Sequence, residues 1–112
     1  KECKMCGIIP ADVVMHEKPQ GRGYIKLTET EQATWPGAKQ DEVIHAHEFH
    51  YSSLENLPEN ARFAYQVIRG HGINGKNDGF IYKNLMANYT HMRNTGSNNW
   101  IERFLAFIAA NK

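Results

Sequence analysis

The stretch "HEFHYS" at 47–52 brings two imidazoles, one carboxylate and two aromatic rings into six consecutive positions. Three kinds of chemistry are open to such a set: metal ligation, proton transfer by an acid–base pair, or a buried polar pair with a purely structural role. On an extended chain, side chains alternate between faces. His45, His47, Phe49 and Tyr51 then share one face, and Ile44, Ala46, Glu48 and His50 share the other. Glu48 and His50 become same-face neighbours. That spacing lets the carboxylate fix the imidazole's tautomer and favour its protonated form. Metal ligation would recruit Cys3 and Cys6 alongside His45 and His47. One Cys-x-x-Cys is only half a zinc motif, and the histidines lack the short second-pair spacing of a finger or ribbon. A thioredoxin-like redox role for the cysteines is weaker still, because no strand precedes them to open a helix. Cys6, followed by "GIIP", reads instead as a small apolar residue entering a strand.

The elements that must position these residues are mostly short and β-like. "CGIIPADVVM" (6–15) has two apolar bursts broken by Pro10. "GRGYIKLTET" (21–30) alternates, with Tyr24, Lys26 and Thr28 on one face and Ile25, Leu27 and Glu29 on the other. "TWPGAKQDE" (34–42) is a turn-rich connection. "VIHAHEFHY" (43–51) and "RFAYQVIRG" (62–70) are strand candidates. "GHGINGKNDG" (70–79) is a glycine-rich loop or hairpin tip, and "GFIYKNLMANYTH" (79–91) holds one or two further strands. From Ser97 the pattern changes. Trp100, Ile101, Phe104, Leu105, Phe107 and Ile108 recur at helical spacing, with Ser97 or Asn98 as the N-cap. The chain therefore predicts a largely antiparallel or mixed sheet closed by one helix.

Composition excludes several partners. Thirteen basic residues against twelve acidic give a formal net charge of +1, which offers no electrostatic basis for binding nucleic acid or an anionic membrane. The longest apolar runs, such as "FLAFIAA" (104–110), are far short of a bilayer span. Two cysteines three apart argue against a secreted disulfide framework and for a reducing cytoplasm. At 112 residues the chain is one domain or a piece of one, and its start at Lys1 reads as mid-sequence.

Four segments in order carry a resemblance: "MCGIIPADVVMHEKPQGRGYIKL" (5–27), "HAHEFHYSSLENL" (45–57), "GKNDGFIYKNLMANYTHMR" (75–93) and "WIERFLAFI" (100–108). Together they resemble the C-terminal glutamine amidotransferase domain of cobyrinate a,c-diamide synthases. "HEFHYS" looks like that family's Gly-His-Glu-Phe-His-Tyr-Ser signature, with Ala46 in the glycine position. "THMRN" followed by "NNWIERFLAFI" looks closest to the siroamide-forming branch. The implied fold class is α/β: a partial class I glutamine amidotransferase-like (flavodoxin-like) domain over 1–112, mostly later β-strands of the sheet plus a C-terminal helix. The implied chemistry is release of ammonia from glutamine through a cysteine thioester. In the full-length enzyme a synthetase domain in cis uses ATP and Mg²⁺ to amidate two carboxylates of a tetrapyrrole.

Carried over by position, His91 in "ANYTHM" takes the place of the family's cysteine-activating histidine. His47, Glu48, His50 and Tyr51 match the signature as glutamine-site or supporting residues. No metal and no cofactor is implied for these residues themselves. Two departures stand out. Many cobyrinate enzymes read His-x-His here, whereas Arg93 occupies the second place. Arg93 also cannot act as the orienting glutamate of other triad amidotransferases, which leaves the third triad member open. The family's nucleophile lies in a Cys-Gly-Gly-Leu-Met-Tyr segment, and neither Cys3 nor Cys6 has the sharp glycine turn that exposes a thiol beside N–H donors. The expectation is thus a truncated domain, inactive by itself, whose uncovered apolar surface favours self-association. Competing readings are a metal-binding β module using Cys3, Cys6, His45 and His47, and a structural interaction module whose histidines are scaffold.

Overall fold

The computed structural model describes residues 7–37, 42–93 and 98–111. Seven strands and one helix follow in order: β1 (Asp12–Met15), β2 (Gly21–Glu29), β3 (Ile44–His50), β4 (Ser52–Glu55), β5 (Arg62–Arg69), β6 (Asn77–Tyr82), β7 (Leu85–Ala87) and α1 (Trp100–Ala110). β3, β2, β5, β6 and β7 form a five-stranded sheet in that order, and β1 pairs with β4 in a separate two-stranded ladder. Every one of these pairings is antiparallel.

The period-two pattern explains which face is buried. Ile25 and Leu27 of β2, Ile44 of β3, Ala64 and Tyr65 of β5 and Ile81 of β6 form the core. Fully burying a residue such as Ile25 or Leu27 stabilises the fold by about 1.5–3 kcal/mol. Tyr24, on the opposite face of β2, remains 79% exposed. The glycine-rich segment makes the expected hairpin tip between β5 and β6. The Asn74 side-chain oxygen accepts the Lys76 and Asn77 N–H groups at 3.0 and 2.8 Å, closing the turn. β6 therefore starts at Asn77, inside the stretch expected to be loop. β4 has no counterpart among the expected strands. Its four residues are held by register with β1, from Asp12 opposite Glu55 to Met15 opposite Ser52.

The C-terminal helix forms where its periodicity placed it, with differences. Its N-cap is Asn99, which makes no side-chain capping bond, rather than Asn98. Ser97 lies outside the described residues. The helix also leans on a loop more than on the sheet. Trp35 stacks on Trp100 and packs against Phe104, at centroid distances of 6.3 and 5.0 Å. The Arg103 guanidinium grips both carboxylate oxygens of buried Glu29 and reaches the Pro36 and Trp35 carbonyls. Phe107 is the buried residue of α1, whereas Ile101, Phe104, Leu105 and Ile108 stay 38–58% exposed. No helix among the described residues is long and apolar enough to cross a membrane.

Candidate active site

β3 separates the signature residues into two groups. Glu48 and His50 point inward, and His45, His47 and Phe49 point outward, as alternation requires. Register opposite Gly21 and Gly23 of β2 leaves room for the inward pair. Glu48 is 1% exposed and accepts three hydrogen bonds. His50 Nε2 donates at 2.8 Å, the His71 backbone N–H at 2.7 Å and the Gly72 backbone N–H at 2.9 Å. Burial by itself would raise the Glu48 carboxyl. The two main-chain donors and the imidazole outweigh it, holding the group below the usual glutamate range.

His50 is buried as well, with Nδ1 donating to the Ser52 carbonyl at 2.8 Å. Both ring nitrogens thus face oxygen atoms. The ring stacks on Tyr89 at a centroid distance of 3.9 Å, and the Tyr89 hydroxyl meets the Ser52 hydroxyl at 2.7 Å. The carboxylate–imidazole pair expected from the spacing is therefore made. It ties β3 to the 70–76 hairpin tip and to the segment after β7.

His91 sits on the other side. The chain leaving β7 crosses to the free edge of β3, where His47 and His91 exchange backbone hydrogen bonds of 3.2 and 2.7 Å. The residues just before it are clamped from β6. Asp78, 0% exposed, accepts the Tyr89 N–H at 3.0 Å, the Thr90 N–H at 2.9 Å and the Thr90 hydroxyl. The same carboxylate accepts the Gly79 N–H at 2.9 Å. Desolvation by burial outweighs these donors, and the group's acidity shifts the opposite way, above the usual aspartate range.

With its backbone held at both ends, the His91 imidazole is exposed on the wall of a cavity of ≈ 540 Å³. Tyr24, His45, His47 and Arg93 share that wall. The His47 ring meets the Tyr24 ring edge-on at 5.4 Å. Of the residues singled out from sequence, His47 and His91 come together here. Glu48 and His50 come together on the inner face and do not line this cavity. Tyr51 does not line it either. It follows the end of β3, 41% exposed, with its ring tilted against Phe49 at 5.7 Å.

Asp78, Thr90, His71 and Gly72 were not among the residues singled out for the site. The Asp-Gly pair at 78–79 was visible as part of the family resemblance, but which amides it would hold was not. Among the described residues no three His, Cys, Asp or Glu side chains are grouped to hold a metal. Cys3 and Cys6 lie outside those residues, so the zinc alternative falls partly outside the described structure.

His91 is thus a strand-edge histidine on a paired backbone beside an open cavity. Comparison with known proteins places the chain in a family. Residues 1–99 match the CobB/CobQ-like glutamine amidotransferase domain, and the chain belongs to that family. It is 44% identical over 100 residues to the cobyrinate a,c-diamide synthase of Magnetococcus marinus, covering 89% of this chain and 21% of that protein. It is 40% identical to the synthase of the same name from Methanococcus maripaludis, covering 84% and 21%. The Archaeoglobus fulgidus synthase is 34% identical, covering 93% and 22%. The chain thus spans about a fifth of the length of these relatives. No solved structure matches it.

Proposed function

We propose that these residues form the later part of a class I, flavodoxin-like glutamine amidotransferase domain, with His91 as the general base. The whole protein would then be an ATP-dependent, glutamine-hydrolysing a,c-diamide synthase of the cytoplasm, acting on a tetrapyrrole of the cobyrinate or sirohydrochlorin type. The supporting observation is the seat of His91: backbone-paired to His47, preceded by residues held on Asp78, and open to a cavity. A base fixed in this way loses little entropy on reaching its proton.

The chemistry follows from the thiol. A neutral cysteine is mostly protonated at physiological pH, and an adjacent imidazole takes its proton as the sulfur attacks the glutamine amide carbon. The tetrahedral oxyanion then collapses, the C–N bond breaks, and the imidazolium proton leaves with ammonia. Water attacks the resulting thioester, with the imidazole again as base, to give glutamate and the free thiol. Neither Cys3 nor Cys6 stands in a Cys-Gly-Gly sequence, so the thiol is assigned to a segment outside these 112 residues. Hence the isolated chain is expected to be inactive. The apolar row left open on α1 gives it a surface for self-association. ATP and Mg²⁺ belong to a synthetase domain in cis, and no residue here is assigned to them.

The test uses the complete synthase carrying His91→Ala. Release of ammonia from glutamine should fall by about a hundredfold to ten-thousandfold, the usual contribution of general acid–base catalysis. Amidation supplied with free ammonia should continue, which shows that the variant is folded. Glutamine hydrolysis at the normal rate in that variant would remove His91 from the mechanism.

A further inference from the structure

The cavity beside His91 holds a cation that no described residue neutralises. Arg93 follows His91 by two positions, lines the same wall and is exposed. It forms no hydrogen bond or ion pair with any described residue. Glu42 is the one carboxylate among the described lining residues, and it has an interaction of its own. Imidazoles from His45, His47 and His91, the Tyr24 ring and Asn98 complete the polar part of the wall. Val43, Ile44 and Ala46 make its apolar part. Arg103, by contrast, is spent on Glu29 at the far end of β2.

We infer that this cavity is a carboxylate-binding site in which Arg93 is the counter-ion. A guanidinium presents a planar fork that matches a carboxylate in two parallel hydrogen bonds, which an imidazole in the same place could not do. At ≈ 540 Å³ the cavity is the size of an ordinary small-ligand pocket. An apolar floor with one cation and several imidazoles suits a short aliphatic chain ending in a carboxylate, with its other end toward His91. On the proposed function, that ligand is glutamine held by its α-carboxylate, and this assignment rests on that reading. A side-chain carboxylate of a tetrapyrrole has the same chemistry and is the other source.

Nuclear magnetic resonance on the complete synthase, isotopically labelled at its arginine and histidine side chains, distinguishes them. L-Glutamine, L-glutaminamide (whose carboxylate is an uncharged amide) and a porphyrin tetracarboxylate are titrated separately. The expected result is that glutamine moves the Arg93 Nε–H and His91 ring signals. Affinity should fall about tenfold or more with glutaminamide, or with Arg93→Gln, because a charge-assisted bond is lost. Arg93→Lys should recover part of it, and raised salt should weaken it. Arg93 is exposed, so neither variant disturbs the core, and unchanged circular dichroism confirms this. Equal affinity for glutaminamide, or no loss in Arg93→Gln, overturns the inference, as does failure of all three ligands to move Arg93. If the porphyrin alone moves Arg93, the carboxylate site stands and its assignment to glutamine falls. The role of His91 is judged separately by ammonia release in the complete synthase.

Discussion

Glu48 and Asp78 are both fully buried carboxylates that accept main-chain N–H groups, yet their acidities move in opposite directions. Asp78 has four donors to Glu48's three, and still it is the one pushed up. Loss of water is the largest influence on both, and the difference lies in whether the hydrogen bonds outweigh it. At Glu48 the His71 and Gly72 N–H groups, followed by the His50 imidazole, do so, whereas at Asp78 the four donors leave desolvation ahead. The two groups also hold different things. Glu48 fastens the hairpin tip at 71–72 to β3, and Asp78 fastens the approach to His91.

Removing the stronger of the two sites should have the largest effect. Glu48→Ala leaves a buried imidazole without its counter-charge and two buried N–H groups without acceptors. Unfolding in urea should show a loss of about 3–5 kcal/mol, the range for breaking a buried charged pair from one side. A loss below 1 kcal/mol would mean that the pair is not ionised in the folded chain. A smaller effect is expected from Gly21→Ala. A methyl group there would land on the Glu48 carboxylate and the His50 ring, although the backbone itself is not in the left-handed region. Displacing them should destabilise the fold by about 1–3 kcal/mol, the range for overpacking. Glu48→Ala and Gly21→Ala should be markedly non-additive, since both act on one pair.

The smallest effect is in the pH dependence, and its sign separates the two carboxylates. Glu48 is lowered on folding, so its contribution is present above the ordinary value of 4.5 and is lost as pH falls through its folded value. Asp78 is raised on folding, so its ionisation penalises the fold at neutral pH and is relieved as pH falls through its raised value, toward the ordinary 3.8. The two slopes oppose each other in the parent chain. Asp78→Asn should therefore make the acid loss of stability steeper, and Glu48→Gln should make it shallower. Urea midpoints measured across the acid range would show this, and parallel curves for both variants would contradict it.

Much of the site's layout follows from local geometry. The alternation of β2 and β3 placed Ile25, Leu27, Glu29, Glu48 and His50 on one face and Tyr24 and His47 on the other, as observed. Spacing alone made Glu48 and His50 a pair, and periodicity alone marked α1. These patterns are short-range, because the Cβ directions of neighbouring residues are set by covalent geometry. The order of motifs marked the amidotransferase family, and only that order singled out His91 as a candidate.

Tertiary structure decided the rest. No local pattern shows that the N–H groups of His71 and Gly72 turn toward Glu48, or that Asp78 takes those of Tyr89 and Thr90. β4 exists because β1 lies beside it, and α1 leans on Trp35 because Arg103 finds Glu29. Hydrogen-bond partners so far apart in the chain are fixed only when strands choose their neighbours. By itself the sequence determined which residues share a face, and the folded sheet determined which faces meet.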